Sequence, residues 1–184
     1  GSIALTKGKE YFPIAEQKLS DAFGVVDRVG SNGLKANISA SLSNLYSRMD
    51  EGEKALYYAK LNLSLRRDTA RAYRAFLLLG DAYYKCKEYD SATFYFNKSL
   101  LSKDYGRKVD AYMRLADIAM IQGNVTLSVE LERNSSVYKD SLYEFHRNVV
   151  ANEMIEAEAD AQAMLQKLYY KGRLNMYLYV FMLI

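Results

Sequence analysis

The chain has 184 residues, half of them apolar, which is enough for a sizeable core in one ordinary domain. One Pro and ten Gly leave few helix breakers, so the composition favours a mostly helical fold. The formal charge of +3 is spread over interspersed Lys, Arg, Asp and Glu, which gives no basic patch for nucleic acid. Cys86 stands alone, which excludes an internal disulfide and a thiolate zinc site.

Gly1-Ser2 reads as a tag-cleavage remnant. Lys9 to Val29 then reads as a helix with Pro13 in its first turn, where a missing N–H matters little. Leu19, Ala22, Phe23, Val26 and Val29 fall on one face, and Gly30-Ser31-Asn32-Gly33 ends the run. Leu34–Met49 and Glu53–Arg66 form a helical pair around the turn Asp50-Glu51-Gly52. Asp68-Thr69 supplies an N-cap for a helix containing Tyr73 to Tyr84. Lys85-Cys86-Lys87-Glu88 is the next turn, and Asp90-Ser91 caps the helix after it. Asp104-Tyr105-Gly106 breaks the chain. Val109–Ile121 and Val125–Tyr138 make a further pair around Gln122-Gly123-Asn124.

From Asp140-Ser141 a new helix is expected, running to about Tyr170 because no Pro or Gly occurs before Gly172. Leu142, Phe145, Val149, Ile155, Ala159 and Ala163 trace a loose apolar stripe, whose start is expected to pack on the third pair. Beyond Ile155 the stripe is mostly Ala, a shallow surface suited to projecting from the stack or to pairing with a partner helix, which includes a homodimer through this helix. Leu174 to Ile184 ends in nine consecutive apolar residues, whereas a membrane span needs about 20. Two readings stay open: the start of a transmembrane helix that continues past Ile184, or an apolar segment that folds onto the protein or a second copy. Tyr169, Tyr170, Lys171 and Arg173 just before it are residue types found at membrane surfaces.

The stretch Tyr73 to Leu101 carries Phe76, Leu79, Gly80 and Tyr83, then Tyr89, Ala92, Phe96 and Leu100. The small residue of the first helix recurs at Ser43, Gly80 and Ala116. That of the second helix recurs at Ala55, Ala92 and Ser128, both in steps of 37 and 36 residues. This pattern resembles the tetratricopeptide (TPR) repeat, whose usual period is about 34 residues. The Pro that usually closes a repeat is absent, with Asp104 in its place in the middle copy. The resemblance implies an all-α, TPR-like helical-hairpin solenoid over residues 3–138, about three repeats plus an N-terminal capping helix. A long C-terminal helix over 139–173 and the apolar segment 174–184 follow.

Tyr-rich repeats followed by a charged helix and an apolar segment also look like the sensor half of bacterial TPR regulators, which end in a histidine kinase or a helix-turn-helix domain. That resemblance implies a non-catalytic protein-interaction or ligand-sensing module, periplasmic and tethered to the inner membrane. The positive-inside rule would place Lys171 and Arg173 in the cytoplasm. A free-standing adaptor, cytoplasmic if the C-terminal segment is no span, is the alternative. No cofactor or metal is implied, and the expected partner is a protein or peptide rather than nucleic acid.

In such stacks the first helix of each pair lines a concave groove. The matching positions are Asn37, Asn44 and Arg48; then Arg74, Asp81, Tyr84 and Lys85; then Asp110, Met113, Asp117 and Met120. Tyr84 and Met120 would give apolar contact and the charges orientation. Some TPR domains clamp a peptide C-terminus with Lys and Asn. Here Asn44 stands at one such position, but Ala40, Leu77 and Met113 occupy the Lys positions, which argues against that mode.

Nothing points to catalysis. His146, the one His, has no partner at ligand spacing and reads as a surface or packing residue. Glu153, Glu156, Glu158 and Asp160 read as a solvated face, since acid–base work needs a desolvated pocket. Cys86 lies between Lys85 and Lys87, whose charge would lower its pKa, yet a half-buried turn residue is the better reading. Five Asn-x-Ser/Thr triplets, at Asn37, Asn62, Asn97, Asn124 and Asn134, matter only in a glycosylating pathway.

Overall fold

The computed structural model describes residues 11–66 and 69–182, the side chains of 69–71, 174 and 176–181 excepted. Among the described residues the chain is all α-helix, in seven elements: α1 Phe12–Val29, α2 Asn32–Arg48, α3 Gly52–Ser64, α4 Thr69–Lys85, α5 Tyr89–Ser99, α6 Tyr105–Ile121 and α7 Val125–Met182. The chain divides into two compact units, one through Lys139 and one from Asp140.

The helix ends follow local chemistry, and several of them differ from the sequence expectation. Pro13 opens α1, and Gly30 closes it in the left-handed conformation (φ 75°), its N–H donated to the Val26 carbonyl. The expected start at Lys9 lies outside the described residues, as does the Asp68 cap. The break expected at Asp104-Tyr105-Gly106 ends at Asp104, which is extended (ψ 116°) and lies between α5 and α6. The Asp104 carboxylate accepts from the Arg107 N–H (3.0 Å) and so starts α6, with Tyr105 and Gly106 already helical. Asp90-Ser91, by contrast, is not a cap, because α5 begins one residue earlier at Tyr89, which leaves Asp90 in the first turn near the positive helix end. Asp140-Ser141 starts no new helix, since α7 runs unbroken from Val125 through Met182 and passes the expected end near Tyr170. The stretch around Lys139 holds neither Gly nor Pro, and a Ser or Asp caps a helix only where the backbone has already left it.

In the first unit, consecutive helices pack on one another from α1 to α6; α2 also touches α4, and α4 touches α6. Three helical hairpins result: α2–α3, α4–α5, and α6 with the first turns of α7. Their backbones repeat in register. The turn residue is left-handed at Asp50 (φ 61°), Lys87 (φ 62°) and Gly123 (φ 77°). The N–H groups of Glu51, Glu88 and Asn124 bond the carbonyls of Tyr46, Tyr83 and Ala119 at 2.9, 3.0 and 2.8 Å.

Small residues face each other where the two helices of a hairpin meet. In the first hairpin Ser43 donates its hydroxyl to the Ala55 carbonyl (3.0 Å); in the third the roles are exchanged, and Ser128 donates to Ala116 (3.0 Å). In the second the pair is Gly80 and Ala92, and a Cβ on Gly80 would lie 2.5 Å from two carbons of the Phe96 ring. Farther along, Asn62 bonds the Ala36 carbonyl and, at the same place in the third hairpin, Ser135 bonds the Val109 carbonyl (3.3 Å). Asn62 is fully buried, so its triplet is closed to modification in the folded chain.

Rings fill the space between each of the first two hairpins and the helix before it. Tyr46 stacks on Tyr58 with centroids 5.6 Å apart, and Tyr83 on Tyr95 at 5.5 Å. Phe23 of α1 meets Tyr58 edge-on, and Lys60 of α3 lies 5.7 Å from the Tyr83 ring centroid. Near the end of the unit Tyr112 stacks on Tyr138 at 5.7 Å.

In the second unit, residues 140–182, every described side chain from Tyr143 on is exposed. That includes Phe145, Val149 and Ile155 of the expected apolar stripe; Leu142 is half-buried. No helix among the described residues is long and apolar enough to cross a membrane.

Candidate partner-binding face

The first helices of the hairpins, α2, α4 and α6, adjoin one another, so equivalent positions form rows across them. One row holds Asn37, Arg74 and Asp110, and another Asn44, Asp81 and Asp117. The lower rows hold Ser47, Tyr84 and Met120, then Arg48, Lys85 and Ile121. The expected candidates therefore share one side of three helices but differ in what they do there.

Candidates of the second and third hairpins gather on Arg114 of α6. Its Nε donates to Asp81 Oδ1 (3.0 Å), its Nη1 lies 3.6 Å from Asp117 Oδ2, and its guanidinium sits 5.7 Å from the Tyr84 ring centroid. Burial pushes the Asp81 carboxyl above the usual carboxylate range, and Arg114 offsets this only in part. Burial raises Asp110 as well, against the same Arg114 charge. Tyr84 is raised by burial and then by Asp117. Lys85 reaches back to Asp50 Oδ1 at 2.5 Å, tying the second hairpin to the first turn. Beside this polar cluster Met113, Met120 and Ile121 are each about half exposed, an apolar margin on α6.

The first hairpin contributes less. Asn37 accepts a hydrogen bond from Arg66 Nη2 (2.8 Å), just past the end of α3. Arg48 lies over the Phe12 ring of α1, 5.6 Å from its centroid. Asn44 and Arg74 are exposed. Sequence reasoning did not find Arg114, because its equivalents are Ser41 and Leu78 and no recurring charge marks the position. Its spacing to Asp117, three residues on, was the available signal.

The chemically distinctive residues set aside from the sequence lie elsewhere. The Cys86 thiol is half-buried against the start of α3, and a Cβ on Gly52 would lie 2.9 Å from its sulfur. Burial, then Glu53 and Glu88, push its pKa up, so the lowering expected from the flanking lysines is overturned. His146 is exposed beside the Phe145 ring. Glu153, Glu156, Glu158 and Asp160 are exposed on α7. Among the described residues no group of three or more His, Cys, Asp or Glu is placed to hold a metal ion.

The α2–α4–α6 side combines charge with exposed apolar surface. It offers a fixed cation flanked by carboxylates, a phenol ring and an exposed thioether margin, a combination that both orients a chain and gives it apolar contact. No family model matches the chain, and no curated protein matches it.

Proposed function

We propose that this chain is a non-catalytic interaction module, built as a TPR-like solenoid, whose α2–α4–α6 face takes a protein or peptide partner. One observation carries the reading. Three hairpins repeat turn conformation, turn hydrogen bond and small-residue contact in steps of 37 and 36 residues, and their first helices adjoin in order. That is the arrangement a stack of helical repeats needs to present one continuous recognition surface. On this surface Arg114 with Asp81 and Asp117 sets orientation, and Tyr84, Met113 and Met120 give contact area.

In this reading the module is the sensing region of a bacterial membrane-tethered regulator, held on the periplasmic side of the inner membrane. The segment from Asp140 passes the bound state onward and pairs with a second copy. Val150, Met154, Leu165 and Leu168, all exposed on that helix, are the residues for such pairing.

Site-specific photo-crosslinking in cells tests the face. A photoreactive phenylalanine replaces Met113 or Met120 in the native protein, and Tyr57 or Phe94 in parallel. The reading expects a discrete adduct from Met113 and Met120 only. Equal labelling from Tyr57 and Phe94, or none from α6, overturns it. Protease added from the periplasmic side checks the location: repeats that stay protected, in a protein that remains in the soluble cytosolic fraction, leave the adaptor reading instead.

A further inference from the structure

A pocket of about 200 Å³ opens between α5, α6 and the first turns of α7. Its walls are Ile118 and Ala119 of α6 and Leu127 and Leu131 of α7, with Thr93 and Asn97 of α5 opposite. We propose that this pocket binds a small monocyclic aromatic molecule of the phenol class. The inference is independent of the α2–α4–α6 face, because the pocket faces α5, the second helix of the preceding hairpin.

The two earlier hairpins show what shape belongs there. Each places a stacked tyrosine pair against the helix before it: Tyr46 on Tyr58, and Tyr83 on Tyr95. Stepping by the repeat, the third hairpin has Ala119 in place of Tyr83 and Leu131 in place of Tyr95. Both phenol rings are gone, while the backbone around them keeps its register. The pocket is the space they would occupy, with Leu131 refilling part of it. A single ring fits what is left, since an apolar protein cavity of about 150 Å³ is known to take benzene.

The polar groups also match a phenol. In the first hairpin the Tyr46 hydroxyl donates to Glu16 of the preceding helix (2.8 Å), so a ring in this place finds a partner for its O–H. In the second, Lys60 of the preceding helix lies over the Tyr83 ring. At the third, Asn97 stands one repeat on from Lys60, and Thr93 lies beside it one helical turn earlier. These two supply donors and acceptors at the same wall, Gln122 just past α6 adds a further amide to the lining, and the other walls are aliphatic and suit the ring faces.

The test is a titration of the full chain, labelled with ¹³C at Ala, Ile and Leu methyls, with p-cresol. The methyl resonances of Ile118, Ala119, Leu127 and Leu131 are expected to shift saturably, while those of Ala40 and Leu79 in the first two hairpins stay in place. 4-Methylcyclohexanol, which has the same heavy-atom skeleton but a thicker, puckered ring without π faces, is expected to bind severalfold more weakly. The double variant Ala119→Tyr/Leu131→Tyr, which rebuilds the ring pair, is expected to lose the response. Should it not fold, Ala119→Leu narrows the same space and is expected to weaken binding. No saturable shift, shifts spread over all three hairpins, an equal response to 4-methylcyclohexanol, or full binding in the filled variant overturns the proposal.

Discussion

In the second hairpin the Phe96 ring lies against Gly80, and Tyr83 stacks on Tyr95; in the third, the same four positions hold Glu132, Ala116, Ala119 and Leu131. The backbones nevertheless share the left-handed turn residue, the turn hydrogen bond and the small-residue contact. The path of the chain and the filling of the hairpin are therefore separable. Turn conformation and close helix approach set the path. Aromatic volume then fills whatever gap the small residues leave, and where that volume is missing the fold keeps its register and opens a pocket.

The sharpest way to break this comparison is to truncate position 96 and its counterpart 132. Phe96 is fully buried, whereas Glu132 is exposed. Phe96→Ala is expected to lower unfolding stability by about 3–5 kcal/mol, and Glu132→Ala to change it by less than about 0.5 kcal/mol. Chemical denaturation of both variants decides it. Similar losses at the two sites would mean that the third hairpin has an aromatic-like core contact at 132 after all.

Next in size is Gly80→Ala. The added Cβ would sit 2.5 Å from ring carbons of Phe96, so the ring must move or the helices part, an overpacking loss of about 1–3 kcal/mol. In the Phe96→Ala background the clash is gone and only the better helix propensity of Ala is left, about 1 kcal/mol in favour of the variant. A double-mutant cycle in which Gly80→Ala destabilises equally in both backgrounds would rule out the ring contact as the reason for Gly at this position.

Smaller effects follow from the turns. Lys87 holds φ 62°, a conformation that side chains adopt at a loss, whereas the third hairpin uses Gly123 at the same place. Lys87→Gly is expected to raise stability by about 0.5–1 kcal/mol, and Gly123→Ala to lower it by about 1 kcal/mol or more. Matching signs in the two variants would show that side-chain contacts, not backbone conformation, govern these turns.

Much of this was legible in the sequence because it rests on residues that recur. Ser43, Gly80 and Ala116, and Ala55, Ala92 and Ser128, gave the hairpins and their period directly. What was not legible rests on residues that do not recur or on rings that are missing. Arg114 has no charged equivalent, so its meeting with Asp81 and Asp117 depends on how α4 and α6 adjoin. Asn37 and Arg48 matched the pattern, yet their side chains are engaged by Arg66 and by the Phe12 ring. The pocket is signalled only by Ala119 and Leu131 standing where Tyr stood twice before. The continuity of α7 is not legible, because Asp140-Ser141 has the composition of a cap in a stretch with nothing to end the preceding helix.

The smallest expected effect is also the most local, the pH dependence held at Asp81. Burial raises its folded-state pKa, with Asp110 adding to the rise and Arg114 and Lys85 opposing it. In the unfolded chain the carboxyl returns to the ordinary value, so as pH rises the unfolded state releases this proton first. Across the window from the ordinary Asp pKa up to the raised one, the folded state holds more proton, and stability falls as pH rises; above the window the contribution is level. Asp110, also raised by burial, adds a slope of the same sign. Asp81→Asn keeps a hydrogen-bond acceptor for Arg114 but removes the titration, so urea midpoints measured from about pH 4 to pH 7 are expected to decline less steeply in the variant than in the parent. A variant slope equal to the parent's would mean that Asp81 is no more desolvated between α4 and α6 than a surface carboxylate. The Arg114 cluster would then lose its claim to be the fixed, partly buried element of the second and third hairpins.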